Sequence, residues 1–191
     1  MATEIELKAH VTDSEAMRLT LSKKAEYLGA FEKEDTYWFP GGLRVRREKR
    51  THPDGRMELL TLVSYKTKEV KDGIEVNDER EFEARPVGPH SESEFEEFLA
   101  LIGLKPGIAK KKRGWVFSRD GITAELAEVE GLGYFVELEI VDNGANPAIE
   151  EGKKRLLDFL AVLGIQKEAI ESRYYTEMLR ERNMFQVCGN S

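Results

Sequence analysis

The sequence is poor in the residues that would tie it to a disulfide framework, a zinc site, a membrane or a nucleic acid. Its single cysteine, Cys188, excludes an intrachain disulfide and points to a reducing compartment. The three histidines, His10, His52 and His90, are too scattered to form a zinc-type cluster. No N-terminal apolar run reads as a signal peptide, and no stretch approaches a membrane span. The chain is therefore expected to be cytoplasmic, without membrane contact. Positive charge is in deficit: 29 Lys and Arg against 36 Asp and Glu give a net charge of −7. That balance argues against non-specific nucleic-acid binding, which needs a basic excess to displace counterions, but allows a local cationic pocket. Low-complexity linkers and fixed-period repeats are missing, and 191 residues suit a single domain. We expect one domain over residues 1–183 and a C-terminal tail over 184–191.

What the chain does have is charge in alternation. Hydrophobic residues make up 40% and charged residues 34%, a globular composition. Glu4-Ile5-Glu6-Leu7-Lys8 reads as a strand with Glu4, Glu6 and Lys8 on one face and Ile5, Leu7 and Ala9 on the other. Thr12-Asp13-Ser14-Glu15 resembles a capping box that opens a helix to about Gly29. Further strands are predicted near 30–39, 43–50, 58–68, 75–85, 107–118, 121–129 and 134–142. Pro40-Gly41-Gly42, Pro53-Asp54-Gly55 and Asp120-Gly121 are among the turns. Helices are predicted after Ser91 and over roughly 147–163 and 167–182. About eight strands with helices inserted in two places give an α+β domain, and short antiparallel strands in that number commonly close into a barrel.

The charged positions are segregated by strand. Arg44 and Arg46 alternate with Leu43 and Val45, and Lys66 and Lys68 alternate with Tyr65 and Thr67. Glu79, Glu81 and Glu83 share a face, as do Lys111 and Arg113, and as do Glu125 and Ala127. Glu137 and Glu139 oppose Val136, Leu138 and Ile140. A single strand of this kind is most simply a solvated sheet face. Several of them closed on one another pool carboxylates suited to a hard divalent cation with cations suited to phosphate oxygens. The combination describes a site for a metal–polyphosphate complex.

These segments resemble the CYTH domain, the triphosphate tunnel metalloenzyme superfamily. Glu4-x-Glu6-x-Lys8 is similar to its N-terminal ExExK signature. The resemblance continues in order through Asp35-Thr36-Tyr37-Trp38-Phe39, Leu43-Arg44-Val45-Arg46, Tyr65-Lys66, Glu81-Phe82-Glu83, Lys112-Arg113, Glu137-Leu138-Glu139 and Tyr175-Thr176-Glu177-Met178-Leu179. It covers roughly residues 3–180 and is nearest to the branch named for the class IV adenylyl cyclases.

The resemblance implies an eight-stranded antiparallel β-barrel with a charged interior and flanking helices. It implies Glu4, Glu6, Glu137 and Glu139 as ligands of Mg²⁺ or Mn²⁺. Lys8, Arg44, Arg46, Lys66, Lys111 and Arg113 would hold phosphates, with Lys8, Tyr37 and Lys66 nearest the chemistry. Glu81, Glu83 and Glu125 would serve a second metal or support the basic residues. The chain departs from the family where a basic residue often precedes Glu81 by two positions: Glu79 stands there. The activity implied first is conversion of ATP to cyclic AMP and pyrophosphate. The alternatives are hydrolysis of an inorganic, thiamine or nucleoside triphosphate, and a non-catalytic module that binds polyphosphate or nucleotide. The apolar stripe Leu156, Leu157, Phe159 and Leu160 is read as core packing, with a homodimer contact as its other use.

Overall fold

The computed structural model describes residues 2–71, 73–85, 91–142 and 149–188. The alternation in Ala2–Val11 forms β1, and seven further strands follow: β2 (Glu26–Phe39), β3 (Leu43–Thr51), β4 (Met57–Lys71), β5 (Ile74–Glu83), β6 (Lys105–Arg119), β7 (Ile122–Val129) and β8 (Gly133–Asp142). They close in the order β1-β5-β4-β3-β2-β6-β7-β8, every pair antiparallel. Closure removes every free sheet edge. The helices are α1 (Ser14–Lys24), α2 (Ser91–Leu101), α3 (Ile149–Val162) and α4 (Tyr175–Cys188), with a 3₁₀ turn at Lys167–Ala169.

This barrel is inverted relative to one with an oily interior. The charged face of β1 points inward, while Ile5, Leu7 and Ala9 point outward and are nonetheless buried. They join the outer faces of β6, β7 and β8, through Phe117, Ile122, Ala124, Leu126, Val136, Leu138 and Ile140, beneath Leu21 of α1 and Leu156, Phe159 and Leu160 of α3. The main hydrophobic core thus lies between barrel and helices, which frees the interior for charge. Leu156, Phe159 and Leu160 are spent on this packing. Gly152 lets α3 approach, because a Cβ there would meet Ile5 Cδ1 at 2.4 Å. A separate cluster seats α2 through Leu99 on Trp38 and Val45.

Three element boundaries differ from the sequence expectation. Asp13 caps α1 by accepting from the Ala16 N–H at 3.0 Å, but the helix stops at Lys24 rather than near Gly29. Residues 26–29 join β2 instead, pairing with β6 across a register shift between Tyr27 and Gly29. Gly29 has φ +134°, and a Cβ there would lie 2.3 Å from the Thr51 carbonyl oxygen, so the strand tolerates only glycine at that bulge. The predicted helix over 167–182 is broken as well. Ile170 bridges to Ala9, and the Glu171 N–H donates to the Lys8 carbonyl at 2.9 Å, which ties the chain across the end of β1 before α4 begins. The helix α4 then carries regular backbone past residue 184, where a tail was expected.

Candidate metal and triphosphate site

The barrel encloses a cavity of about 340 Å³ whose walls are mostly charged. From β1 come Glu4, Glu6 and Lys8; from β3, Arg44 and Arg46; from β4, Lys66; and from β8, Glu137 and Glu139. Tyr37, Glu81 and Glu125 also reach the cavity. The α4 end of the tunnel is stopped by Tyr175 and Met178, which pack on Val129 and Phe135. At the opposite end the Glu81 side chain is 37% exposed.

Three carboxylates converge. Oxygens of Glu4, Glu6 and Glu139 all lie within 4.8 Å of one another. Burial, followed by repulsion from Glu4 and Glu6, pushes Glu139 up to about 8. An all-oxygen, mutually repelling set of this kind fits a hard divalent cation, which would neutralise it. Glu137 is not one of the three: it accepts from Lys112 Nζ at 2.7 Å and from the Tyr175 hydroxyl at 2.9 Å. Glu83 lies near the rim, 38% exposed and paired with Arg85.

The phase on β6 corrects the sequence reading. Lys111 and Arg113 are on the outer face, 55% and 74% exposed, paired with Glu34 and Glu128. Lys110 and Lys112 are the buried tunnel residues. The run Lys110-Lys111-Lys112-Arg113 carries no alternation of its own, so composition cannot set its phase. Trp115 and Phe117 could have done so. They belong to the apolar outer face, and 111 and 113 share their parity. Gly114 faces inward where a Cβ would lie 1.9 Å from the Leu126 carbonyl oxygen.

Nearly every tunnel cation already has a carboxylate. Lys8 Nζ donates to Glu75 at 2.6 Å, and Lys66 Nζ lies 2.6 Å from Glu4 and 3.3 Å from Glu79. Arg44 reaches Glu79 at 2.7 Å and Glu81 at 3.1 Å. Arg46 grips Asp35 through two N–H groups, at 2.6 and 3.0 Å, and Lys110 adds a third contact at 3.0 Å. Burial works against the Asp35 charge, but Lys110 and Arg46 hold its carboxyl well below the usual range. Lys112 bridges Glu125 and Glu137, and Lys33 shares Glu125 at 2.5 Å. Burial would lift Glu125, yet Lys112 and Lys33 hold it far down. Burial pushes Lys33 itself down, with Lys112 and Arg46 adding to the effect. Lys33, Asp35, Glu75 and Glu79 were missed as site residues. They sit on inward strand positions, a signal that becomes readable once the barrel phase is known.

A larger depression of about 810 Å³ is lined among others by Glu32, Glu34, Leu59, Lys111 and Arg113, and shares Lys33, Glu48 and Lys112 with the tunnel lining. Among the described residues the converging carboxylates are those of the tunnel.

The profile of the CYTH domain matches residues 2–175. The chain belongs to the CYTH domain family. Among solved structures, the PH1012 protein of Pyrococcus horikoshii is 29% identical, with a TM-score of 0.73 over 91% of this chain and 98% of that one. A candidate adenylate cyclase from Vibrio parahaemolyticus shares the fold at 18% identity, TM-score 0.70, over 93% of this CYTH chain and 97% of its own. The Hippeastrum protein HpAC1, described as having a dominant triphosphatase activity, shares it at 17% identity and TM-score 0.62, over 95% and 96%. No curated protein matches. No helix among the described residues is long and apolar enough to cross a membrane.

Proposed function

We propose that this CYTH protein is a metal-dependent enzyme that cleaves a triphosphate, with hydrolysis of the phosphate chain as the reading its geometry supports best. The observation that carries it is the approach of the Glu4, Glu6 and Glu139 oxygens within 4.8 Å, facing a tunnel of cations. Glu4, Glu6 and Glu139 would hold Mg²⁺ or Mn²⁺, which supplies positive charge opposite the phosphate oxygens. Arg44, Arg46, Lys66 and Lys112 bind and align the chain, and Lys8 and Lys110 extend the grip towards Tyr175. Water then attacks the terminal phosphorus in line and gives up a proton, the bond from that phosphorus to the bridging oxygen breaks, the shortened chain departs with the electron pair, and orthophosphate carrying the water oxygen is released. Such chemistry depends on positioning and charge stabilisation more than on an unusual side chain.

The hydrolytic reading is favoured over the cyclase because charged side chains dominate the cavity lining and most of the rest are polar. Leu62 is the one aliphatic side chain among its described lining residues, beside the tyrosines 37, 174 and 175, which leaves little apolar surface for a nucleobase. The triphosphatase description of HpAC1 is in keeping with it. The sequence resemblance to the class IV cyclases supports the second reading, attack of the ATP 3′-hydroxyl on the α-phosphorus. Incubation with Mg²⁺ or Mn²⁺ and tripolyphosphate, thiamine triphosphate or ATP, with products resolved, tests both. Orthophosphate release is expected. Cyclic AMP with pyrophosphate would replace the hydrolase by the cyclase, and metal-dependent binding without turnover would leave a binding module.

A further inference from the structure

Glu79 faces Lys66 directly across the β4–β5 ladder. One of its oxygens accepts from Arg44 NH2 at 2.7 Å, and the other lies 3.3 Å from Lys66 Nζ. The three side chains are only 9%, 12% and 14% exposed, so their charges meet largely out of water. A carboxylate that bridges two cations at such distances stands where two phosphate oxygens would otherwise be gripped. Each cation also has a further carboxylate within reach. Glu81 reaches Arg44 at 3.1 Å, and Glu4, one of the three converging carboxylates, reaches Lys66 at 2.6 Å.

We propose that Glu79 is a specificity-determining residue, an internal anion that withholds Arg44 and Lys66 from metal-free polyphosphate and shares them with a metal-loaded one. The inference rests on the reading of the tunnel as a triphosphate site. A bare polyphosphate brings only negative charge to a cation pair that already faces Glu79, Glu81 and Glu4, and must compete with Glu79 for both cations. A polyphosphate that arrives with a divalent cation also brings charge for Glu4, Glu6 and Glu139. Glu4 then loosens its hold on Lys66, whose three N–H donors can serve Glu79 and a phosphate oxygen together. Discrimination lies in the difference between these two costs.

Calorimetric titration of the full chain with tripolyphosphate, once in EDTA and once in Mg²⁺, tests this on wild type, Glu79→Gln and Glu81→Gln. Glu79→Gln is expected to bind tripolyphosphate in EDTA at least about tenfold more tightly than wild type, with a smaller gain in Mg²⁺, so that the ratio of the two Kd values shrinks. A merely structural role would not move that ratio. No tightening in EDTA, for a Glu79→Gln protein with wild-type circular dichroism and Tm, overturns the inference. Equal tightening in Glu81→Gln overturns it too, because a diffuse loss of negative charge would then explain both. Should Glu79→Gln fail to fold, Glu79→Asp, which keeps the charge but shortens its reach, is read by the same criteria. Failure of wild type to bind tripolyphosphate in Mg²⁺ would instead bring down the triphosphate reading, and this inference with it.

Discussion

Lys66 Nζ lies 2.6 Å from Glu4 Oε2 and 3.9 Å from Glu6 Oε2, so one ammonium is shared by two of the carboxylates that converge at the candidate metal position. Cation site and phosphate site are therefore one network. Removing a carboxylate should disable the first without dismantling the barrel, whose main core lies outside. Glu6→Gln is expected to abolish metal-dependent turnover and the thermal stabilisation by Mg²⁺ or Mn²⁺. At a metal concentration a hundred times Kd that stabilisation is about 2.7 kcal/mol in wild type. Thermal melts with and without metal measure it, and an unchanged metal response in Glu6→Gln would refute the site.

Glu139 gives a prediction of opposite sign. It is buried beside Glu4 and Glu6, and their repulsion opposes folding when no cation is bound. Glu139→Gln should make the metal-free protein more stable by ~1–2 kcal/mol, the usual size of relief when a functional residue is removed, while losing metal binding. Urea unfolding in EDTA reads the gain. A metal-free protein that becomes less stable on this change would show that the three carboxylates are not in repulsion.

The phase of β6 is tested by two neighbouring lysines. Lys112→Met leaves Glu125 and Glu137 short of their shared cation, and losing one partner of a buried ionic network costs about 3–5 kcal/mol. Phosphate binding should fall with it. Lys111→Met removes an exposed pair with Glu34, worth at most about 1 kcal/mol. Chemical denaturation and tripolyphosphate titration of the two variants should differ sharply, and equal effects would contradict the inward position of Lys112.

Those two lysines also show where the sequence was legible. In β1 and β8 charge and apolarity alternate cleanly, so Glu4, Glu6, Glu137 and Glu139 could be placed on one side by parity alone. Closure of eight strands followed from their number and their turns. Which side faced inward was not a local property: helices had to cover Ile5, Leu138 and their neighbours before charge could occupy the interior. In β6 four consecutive basic residues erase the period, and only the apolar pair further along restores it. The β2 start at Glu26 was hidden because Tyr27 and Leu28 suit a helix face as well as a strand. Glu137 was assigned to the metal by pattern. Its contact with Lys112 depends on the phase of β6, and its contact with Tyr175 on α4, which lies far off in sequence and returns to stop the tunnel.

Tyr175 links that helix to the charged interior. Its hydroxyl donates to Glu137 at 2.9 Å while its ring meets Phe135 edge-on at 5.0 Å. Burial, with Glu137 beside it, pushes the phenol well above its ordinary range, so it remains a donor throughout the working pH. Tyr175→Phe keeps the ring packing and deletes one hydrogen bond to a charged group, an expected loss of about 1.5–3 kcal/mol. Equilibrium unfolding would detect it, and a neutral result would mean that Lys112 alone satisfies Glu137.

Glu171 provides the pH dependence. Its carboxylate accepts from Arg173 Nε at 2.9 Å, Arg173 NH2 at 2.6 Å and the Arg173 backbone N–H at 2.9 Å, and His10 Nε2 of β1 lies 3.2 Å away. The hydrogen bonds from the Arg173 side chain contribute most in holding it down at about 2, below the ordinary value of 4.5. A carboxylate lowered in the folded state adds stability that is complete above 4.5 and disappears as pH falls from there through about 2. Since Arg173 is half exposed, solvent screening trims the contribution to ~1–2 kcal/mol. The segment concerned joins Lys8 of β1 to the start of α4, so its release should loosen the stopped end of the tunnel. Glu171→Gln is expected to lower stability at pH 7 and to flatten the stability curve between pH 5 and 2 relative to wild type, measured by urea unfolding across that range. Parallel curves for the two proteins would place the acid sensitivity elsewhere.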